Sequence, residues 1–154
     1  MKVTELSGAL LDFWVARAEG LTTKIVSAGV KVNGVRVEQD TCIALTPGFD
    51  DWWQPYHSCT WFTAGPIIER DQIFLDAPHD RHIHGGPNAG WHNEPQWSAT
   101  VSARTRTWST GPDDIANRIG GRVGRGRGAT PQIAAMRAKV ASHFGDEVPD
   151  EVMA

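Results

Sequence analysis

"GGRVGRGRGATPQ", residues 120–132, sets three arginines among glycines and then runs into a helical pattern. Thr130 is a good helix N-cap, and Pro131 suits the first helical position, where its missing N–H would have no intrahelical partner. The apolar side chains that follow at helical spacing are Ile133, Met136, Val140 and Phe144, before a natural stop at Gly145. The stretch therefore predicts a glycine-rich lead-in to a C-terminal helix.

Outward from this stretch, the chain predicts one more helix and a set of antiparallel strands. Residues 4–19 have an amphipathic pattern, with Thr4 as the expected N-cap and Gly20 as the stop. Asn33-Gly34 lies between alternating valines and predicts a hairpin, because this pair accepts positive φ angles. Further strands are expected in "CIAL" (42–45), in "GPIIERDQIFL" (65–75, as one strand with a turn near Asp71-Gln72 or as two short strands) and in "WSATVSARTRTW" (97–108). This order predicts an α+β fold with a mainly antiparallel sheet, helices near both ends and long loops between them.

The composition bounds the class of protein. A chain of 154 residues with 40% hydrophobic content fits a single domain spanning residues 1–154. No apolar run approaches the roughly 20 residues that span a bilayer, and Glu5 and Asp12 interrupt any signal-peptide pattern. Cys42 and Cys59 are expected to be free thiols. These features predict a cytoplasmic protein without a membrane segment.

The net charge of -3 conceals an asymmetry along the chain. Residues 1–100 carry 7 basic and 12 acidic side chains, residues 101–143 carry 8 basic and 2 acidic ones, and residues 144–154 carry 4 acidic ones. A basic segment on an otherwise acidic protein disfavours general coating of nucleic acid. It favours a local site for an anion.

Three segments resemble one protein family. They are "TELSGALLDFWVARAEG" (4–20), "YHSCTWFTAGPIIERDQI" (56–73) and "GATPQIAAMRAKVASHFGDEVPDEV" (128–152). Together they resemble the NinX-like family of small phage proteins. The resemblance implies a phage origin and an α/β/α layered sandwich, but no activity. Relative to the family pattern, this chain has a His-rich insertion at 76–95, a Gly/Arg-rich insertion at 109–129 and an acidic tail at 146–154.

The Gly/Arg stretch is the first candidate site. Glycines leave backbone N–H groups open to an anion, a helix N-terminus adds unpaired donors, and arginine forks match phosphate geometry. We therefore expect a phosphate-binding loop that comprises Arg122, Arg125, Arg127 and Thr130. It is not a Walker loop, because Gly-Lys-Ser/Thr does not occur in it. Two alternatives stay open, namely a solvated flexible loop and an RGG-type contact with RNA.

Seven tryptophans form the second group of candidates. Trp14 and Trp108 lie in a predicted helix and strand and are expected in the core. Trp52, Trp53 and Trp91 lie in predicted polar loops, where an exposed ring can stack on a base at small entropic cost. The alternative for these three is that their rings hold the loops in place by packing, or that they form a dimer contact. The remaining candidates, which fit either the core or a pocket, are Trp61 and Trp97.

The third candidate is the His-rich segment "DAPHDRHIHGGPNAGWHNEP" (76–95). The spacing of His82 and His84 places both rings on one face of an extended strand, where a third ligand would complete a zinc site. The segment matches no metal motif, so we expect these histidines to be exposed to solvent or to contact a ligand, and expect neither a metal nor a cofactor. His57 stands beside Ser58, but no catalytic motif surrounds them, so a binding protein is favoured over an enzyme.

The combined features predict a phage accessory protein that acts in the cytoplasm of the infected bacterial cell. It is expected to bind and sequester a small phosphorylated nucleotide, such as a cyclic or ADP-ribose-type signal of bacterial immunity. A homo-oligomer is expected, because an interface between copies would close a pocket. Three other functions stay open: a nucleic-acid-binding accessory protein, an inhibitor that presents Trp52, Trp53 and Trp91 to a host enzyme, and a nucleotide-cleaving enzyme built on His82, His84 and a carboxylate.

Overall fold

The computed structural model describes residues 1–102 and 122–150. The α-helices of this part of the chain are α1 (Gly8–Ala18), α2 (Trp61–Arg70) and α3 (Pro131–Phe144). The strands are β1 (Thr23–Val26), β2 (Lys31–Val32), β3 (Val35–Arg36), β4 (Thr41–Leu45), β5 (Trp53–Pro55), β6 (Phe74–Asp76), β7 (His79–Ile83), β8 (Gly90–Glu94), β9 (Trp97–Val101) and β10 (Gly124–Gly128). Within these ranges, no helix has the length and apolar character needed to cross a membrane.

The described strands form two three-stranded sheets and two hairpins, and every pairing among them is antiparallel. One sheet has the order β1-β4-β5 and the other has the order β10-β9-β6. The β2–β3 hairpin turns at Asn33 and Gly34, both with positive φ, as the sequence predicted. The β7–β8 hairpin lies in the segment that was expected to be a His-rich loop. The predicted α+β class, with antiparallel sheets and a helix near each end, is confirmed.

Helices α1 and α3 lie at the centre of the hydrophobic core. They contact each other, while α3 packs on the β10-β9-β6 sheet and α1 packs on β1 and β4. Buried side chains occupy most of the circumference of α1, which is typical of a helix inside a core rather than on its surface. Trp14 is buried and makes an edge-to-face contact with Phe144 at a centroid distance of 5.1 Å. The core position expected for Trp14 is therefore the one observed.

The glycines of β10 bring that strand into contact with α3. They are buried and alternate along the strand with two exposed arginines. A Cβ on Gly124 would lie 2.0 Å from the carbonyl oxygen of Ala138, a separation that real Cβ atoms do not reach. Residues 124–128 are therefore a strand of the sheet, and the flexible-loop interpretation of this stretch is wrong for them. Glycine is needed at the helix-facing positions because any side chain would collide with α3.

Helix α2 replaces most of a strand that was expected over residues 65–75. Thr60 caps the helix with its hydroxyl, and Ala64 and Ile67 turn one helical face toward the core. The Gly-Pro-Ile-Ile run predicted a strand from weak intrinsic preferences, which the burial of this face outweighs. The expectation was wrong as far as Arg70 and correct for the short strand β6 that follows.

Two other boundaries differ from those expected from the sequence. The N-terminal helix begins at Gly8 after Ser7, and Thr4 lies inside a preceding 3₁₀ turn instead of capping the helix. The first part of the acidic tail is docked, because the Val148 N–H donates to the Met1 carbonyl at 2.9 Å. The strand expected at 97–108 is confirmed as β9, while its end and Trp108 lie outside the described residues.

Candidate functional site

The face of the β10-β9-β6 sheet that points away from α3 carries polar and aromatic side chains. Strand register places Arg125, Thr100 and Phe74 in one row across the sheet. The next row is Arg127, Ser98 and Asp76. Because alternate residues of a strand point to opposite faces and the glycines face α3, both rows lie on the open face. Phe74 is 69% exposed, so this face offers an accessible aromatic ring beside two arginines.

A groove of about 200 Å³ lies between this face and the β7–β8 hairpin. The polar side chains that line it include Arg81, Arg127, Asp76, Glu94, His79 and Ser98. The Arg127 guanidinium lies 3.6 Å from the Glu94 carboxylate and is 64% exposed, so this ion pair is loose and solvated. The groove therefore joins two segments that the sequence indicated as separate insertions, and it presents both cations and carboxylates.

The structure does not bring together the four residues of the predicted phosphate loop. Arg125 and Arg127 lie on the open face of the sheet, whereas Thr130 caps α3, which packs on the other face. The Arg122 guanidinium reaches Gly145 at the opposite end of α3, where its Nη1 would be 2.6 Å from a Cβ on that glycine. A helix of 14 residues is about 21 Å long. Arg122 and the N-terminus of α3 are therefore too far apart to hold one phosphate.

None of the five candidate tryptophans lines the groove. Trp52 is 50% exposed beside β5, and the Trp53 ring is covered by the Lys24 ammonium at 4.1 Å from its centroid. Trp61 is 57% exposed at the first residue of α2. Trp97 is half-buried and packs against the core from the helix side of β9. Only Trp91 stands on the hairpin that borders the groove.

The hairpin places Trp91 beside His82 and His84. The His82 ring centroid lies 4.9 Å from that of Trp91 and 4.3 Å from that of His84. Nδ1 of His82 is 3.3 Å from Nε2 of His84, within hydrogen-bond distance. All three side chains are exposed, and Trp91 is 74% exposed. Over residues 1–102 and 122–150, no group of three or more His, Cys, Asp or Glu side chains is placed to hold a metal ion.

Comparison with protein families settles the relationship of the chain. A family model described as "Bacteriophage P22, NinX" matches residues 2–143. The chain belongs to the bacteriophage P22 NinX family. This confirms the resemblance found in the sequence and makes the chain a member of a phage protein family. Comparison with curated proteins gave no match.

A second cleft of this NinX-family chain lies where its three family-like segments meet. It has a volume of about 360 Å³ and is lined by Ser7 and Asp12 of the first segment, Cys59 and Thr60 of the second, and Arg137 of the third. The family-like segments thus converge on one surface, whereas the groove is built by the segments that depart from the family pattern.

Within this cleft, Asp12 anchors the loop that precedes α2. Its Oδ1 accepts the Ser58 N–H at 2.7 Å and the Ser58 hydroxyl at 2.6 Å, and both residues are buried. His57 Nδ1 lies 3.7 Å from the second oxygen of Asp12. A nucleophilic serine needs its hydroxyl exposed and bonded to a base that can take its proton toward a substrate. Ser58 is fully buried and bonded to a carboxylate, so this arrangement holds a loop and does not present a nucleophile.

Arg137 and Cys59 complete the wall of the same cleft. The Arg137 guanidinium donates to the Leu6 carbonyl through Nε and Nη2 at 3.0 and 2.8 Å, and to the Arg127 carbonyl at 2.7 Å. Burial lowers the pKa of Arg137 and raises the pKa of the Cys59 thiol. Arg137 therefore ties the chain before α1 to the end of β10, and Cys59 is disfavoured as a thiolate.

A network of charges that the sequence did not indicate joins helices α1, α2 and α3. Arg70 donates to Glu19 at 2.7 and 2.8 Å, and Lys139 donates to Asp71 at 2.6 Å and lies 3.1 Å from Glu19. Lys139 is only 9% exposed. Because a buried charge requires partners, the network fixes the ends of α1 and α2 against α3. The sequence did contain one signal for this network. Lys139 lies three residues after Met136 of the apolar stripe and therefore on the same face of the helix.

The groove and its adjoining sheet face also carry residues that no sequence motif indicated, namely Arg81, Glu94, Ser98 and Phe74. Each is unremarkable in its local sequence, and each reaches this surface only through strand pairing. Alternation along "WSATV" indicated which side chains share a face, but not which strands lie beside them. No local signal pairs the His-rich hairpin with the Gly/Arg strand.

Proposed function

We propose that this protein binds and sequesters a small phosphorylated nucleotide in the groove between the β10-β9-β6 sheet and the β7–β8 hairpin. The observation that carries this proposal is that Arg81 and Arg127 share one groove with Asp76 and Glu94. Guanidinium forks match phosphate oxygens, and carboxylates accept hydrogen bonds from ribose hydroxyls. A nucleotide carries both groups within one small molecule, so its chemistry complements the lining.

An exposed ring beside the groove supplies the third part of nucleotide recognition. Phe74 is 69% exposed on the adjoining sheet face. Trp91 lies at an alternate position to Glu94 on β8, so it is on the hairpin face away from the groove. Stacking of a base on an aromatic ring is worth about 1–3 kcal/mol and tolerates any base. Arg125 lies one row beyond Arg127 on the same face and is available to a second phosphate.

The size of the groove supports a homo-oligomer as the binding form. Its volume of about 200 Å³ is below the roughly 300–1,000 Å³ of typical ligand pockets. A tight sponge must enclose most of its ligand, and a second copy over the open sheet face would supply the missing walls. We therefore include a homo-oligomer in the proposal.

Membership of a phage family supports the choice of ligand class. A phage protein that binds a nucleotide signal of bacterial defence would withdraw that signal by mass action, and this effect needs no catalysis. The burial of Ser58 against Asp12 also favours a binder over an enzyme. The proposed ligand is a cyclic or ADP-ribose-type nucleotide signal, and the proposed place of action is the cytoplasm of the infected cell.

One experiment tests the proposal directly. The purified protein is incubated with a panel of cyclic dinucleotides and ADP-ribose cyclisation products, freed of unbound ligand, and denatured by heat. Mass spectrometry of the supernatant should recover one panel member intact, in a fixed molar ratio to the protein. Recovery of a converted product would establish an enzyme instead, and retention of no panel member would overturn the proposal.

A second candidate function is favoured by the open sheet face itself. The row Arg125–Thr100–Phe74 combines a cation, a hydroxyl and an exposed ring, which is the chemistry of a platform for single-stranded nucleic acid. Such binding loses affinity steeply with salt, because it releases counterions from several phosphates. A salt-sensitive gel shift of single-stranded oligonucleotides, with no retained small nucleotide, would favour this function. Inhibition of a host enzyme through Trp52, Trp53 and Trp91 stays an alternative. So does nucleotide cleavage with His82, His84 and a carboxylate.

A further inference from the structure

We propose that His82 and His84 bind a divalent transition-metal ion at the end of the β7–β8 hairpin. The decisive observation is the spacing of their nitrogens, since Nδ1 of His82 lies 3.3 Å from Nε2 of His84. Two imidazole nitrogens bound to one tetrahedral zinc ion at about 2.0–2.1 Å are themselves separated by about 3.3 Å. The two side chains therefore already have the separation that a shared metal ion imposes.

The hairpin holds this pair in place. His82 lies opposite Trp91 in the register of β7 and β8, and their rings are in edge contact at 4.9 Å. Two register positions further from the turn, on the same face of the hairpin, Asn93 donates to Asp80 at 2.9 Å and links the two strands again. His84 follows the last residue of β7 and precedes two glycines with positive φ, so the backbone turns back directly after it. Because the hairpin already orders the two histidines, metal binding has to order them less.

The exposure of the two rings suits a metal taken up from solution. Both imidazoles are open to solvent, so an ion can approach them and keep water at its remaining positions. Across the described ranges, no third His, Cys, Asp or Glu side chain joins them to form a closed cage. Imidazole ligands suit zinc, nickel and copper, and the general order of affinities places Cu²⁺ above Zn²⁺.

Metal binding at this pair requires a change of histidine tautomer. Without metal, a ring N–H of one histidine is shared with the unprotonated nitrogen of the other. When the metal accepts a lone pair from each nitrogen, the proton of the donating ring moves through solvent to the other nitrogen of the same ring, so both ligands are neutral imidazoles. No oxidant or reductant takes part, and the site is independent of the nucleotide groove because neither histidine lines it.

Calorimetry of the full chain with ZnCl₂ and with CuCl₂ tests this site. Loss of an outer-shell partner alone typically weakens a metal site about 10- to 100-fold, so removal of a ligand should weaken binding at least tenfold in His82→Ala and in His84→Ala. His92→Ala is the matched control on the same hairpin, since its Nε2 is engaged by the Asn88 carbonyl. Unchanged affinity in the double variant His82→Ala/His84→Ala, or an equal loss in His92→Ala, would overturn the proposal.

Two spectroscopic measurements on the wild-type protein keep the test independent of variant folding. Zinc should shift the NMR signals of Nδ1 of His82 and Nε2 of His84, and leave the signals of His143 near the end of α3 in place. Copper should quench the fluorescence of Trp91, so Trp91→Phe should lose most of the quenching and keep the affinity. Zinc-induced shifts confined to other histidines, or quenching that is unchanged in Trp91→Phe, would contradict the assignment.

Discussion

Gly126 of β10 lies against the carbonyl oxygen of Ala134 on α3 so closely that a Cβ on the glycine would be 2.1 Å from that oxygen. The oxygen belongs to the helix backbone, so it cannot move aside as the end of a flexible side chain could. The distance between strand and helix is therefore set by the absence of a side chain. The glycines of the Gly-Arg alternation are therefore needed for packing of β10 on α3, and this role does not depend on what the arginines bind.

Gly126→Ala is expected to destabilise the fold strongly. Overpacking of a well-filled core usually costs about 1–3 kcal/mol, and a clash with backbone lies at or above the upper end of that range. Urea unfolding should show a loss of about 3 kcal/mol or more. Gly65→Ala is the matched control, because a Cβ there meets nothing within 4 Å and glycine within a helix costs about 0.5–1 kcal/mol relative to alanine. Equal stability of the two variants would contradict this account of β10.

Elements with local chemical signals were the predictable part of the fold. Thr130-Pro131 predicts the start of α3, and Asn33-Gly34 predicts the β2–β3 hairpin, because capping and turn geometry depend on adjacent residues. Helix α2 was missed because its helical state comes from burying Ala64 and Ile67, which is a tertiary effect. The strand β10 was missed because its period of two alternates glycine with arginine instead of apolar with polar residues.

The candidate site was predictable in its residue types and not in its assembly. Arginine beside glycine indicated an anion, and Arg127 does line a polar groove. Its companions in the groove, Arg81 and Glu94, come from a hairpin more than thirty residues earlier, and only strand pairing brings them there. Closeness in sequence predicts one site for Arg122, Arg127 and Thr130. In the structure they lie apart, because β10 separates Arg122 from Arg127 and Thr130 belongs to the start of α3.

Lys139→Met is expected to destabilise the protein by about 3 kcal/mol, because it removes one of the two cations from a buried network. Arg70 alone would then face two carboxylates, so one negative charge would be uncompensated. Lys139 is 9% exposed and lies within 3.1 Å of Glu19 and 2.6 Å of Asp71. Thermal and urea unfolding should both report the loss. Lys31→Met is the control, since Lys31 is exposed on β2 and its replacement should change stability by less than about 0.5 kcal/mol. A neutral Lys139→Met variant would show that the network is dispensable.

The same network predicts a loss of stability in acid. Burial alone would raise the pKa of Glu19 and Asp71, but hydrogen bonds from Arg70 and Lys139 outweigh it and hold each pKa below its ordinary value. Since the folded pKa is lowered, this stabilisation is complete above the ordinary values of 4.5 and 3.8 and is lost as the pH falls through the lower folded values.

Urea unfolding between pH 7 and pH 3 measures this dependence. The free energy of unfolding should decline below about pH 4.5, and Glu19→Gln should show a shallower decline than the wild type. Glu38→Gln, at an exposed position, should keep the wild-type slope. Identical slopes in all three proteins would mean that the network does not titrate with folding.

Asp12→Ala is expected to cost more than Ser58→Ala, although the two residues share hydrogen bonds. Removing the Asp12 carboxylate takes the acceptor away from both the N–H and the hydroxyl of buried Ser58. Each buried group left unpaired costs about 1–3 kcal/mol. Removing the Ser58 hydroxyl leaves the N–H bond intact. Denaturation curves of the two variants should therefore give a free energy of unfolding that is lower for Asp12→Ala than for Ser58→Ala by at least about 1 kcal/mol. This is the order of the cost of one buried group without a hydrogen-bond partner. The reverse order would show that the loop before α2 is held by other contacts.

Arg127→Ala and Arg122→Ala are expected to differ in ligand binding although both remove an arginine from the same sequence stretch. Arg127 lines the groove, whereas Arg122 reaches Gly145 at the far end of α3. A hydrogen bond to a charged phosphate contributes about 1.5–3 kcal/mol, so Arg127→Ala should weaken binding of the retained nucleotide about 10- to 100-fold. Arg122→Ala should bind within about twofold of the wild type, and Arg81→Ala should resemble Arg127→Ala.

Isothermal titration with the nucleotide recovered from the heat-release experiment measures these affinities. Arg127 is 64% exposed and its contact with Glu94 is loose, so its removal should change stability by less than about 1 kcal/mol and leave the fold intact. Repeating the titrations at higher salt separates the two ligand classes, because a single small nucleotide releases few counterions and a nucleic-acid strand releases many. Loss of binding in Arg122→Ala with full binding in Arg127→Ala would place the ligand elsewhere, at the C-terminal end of α3.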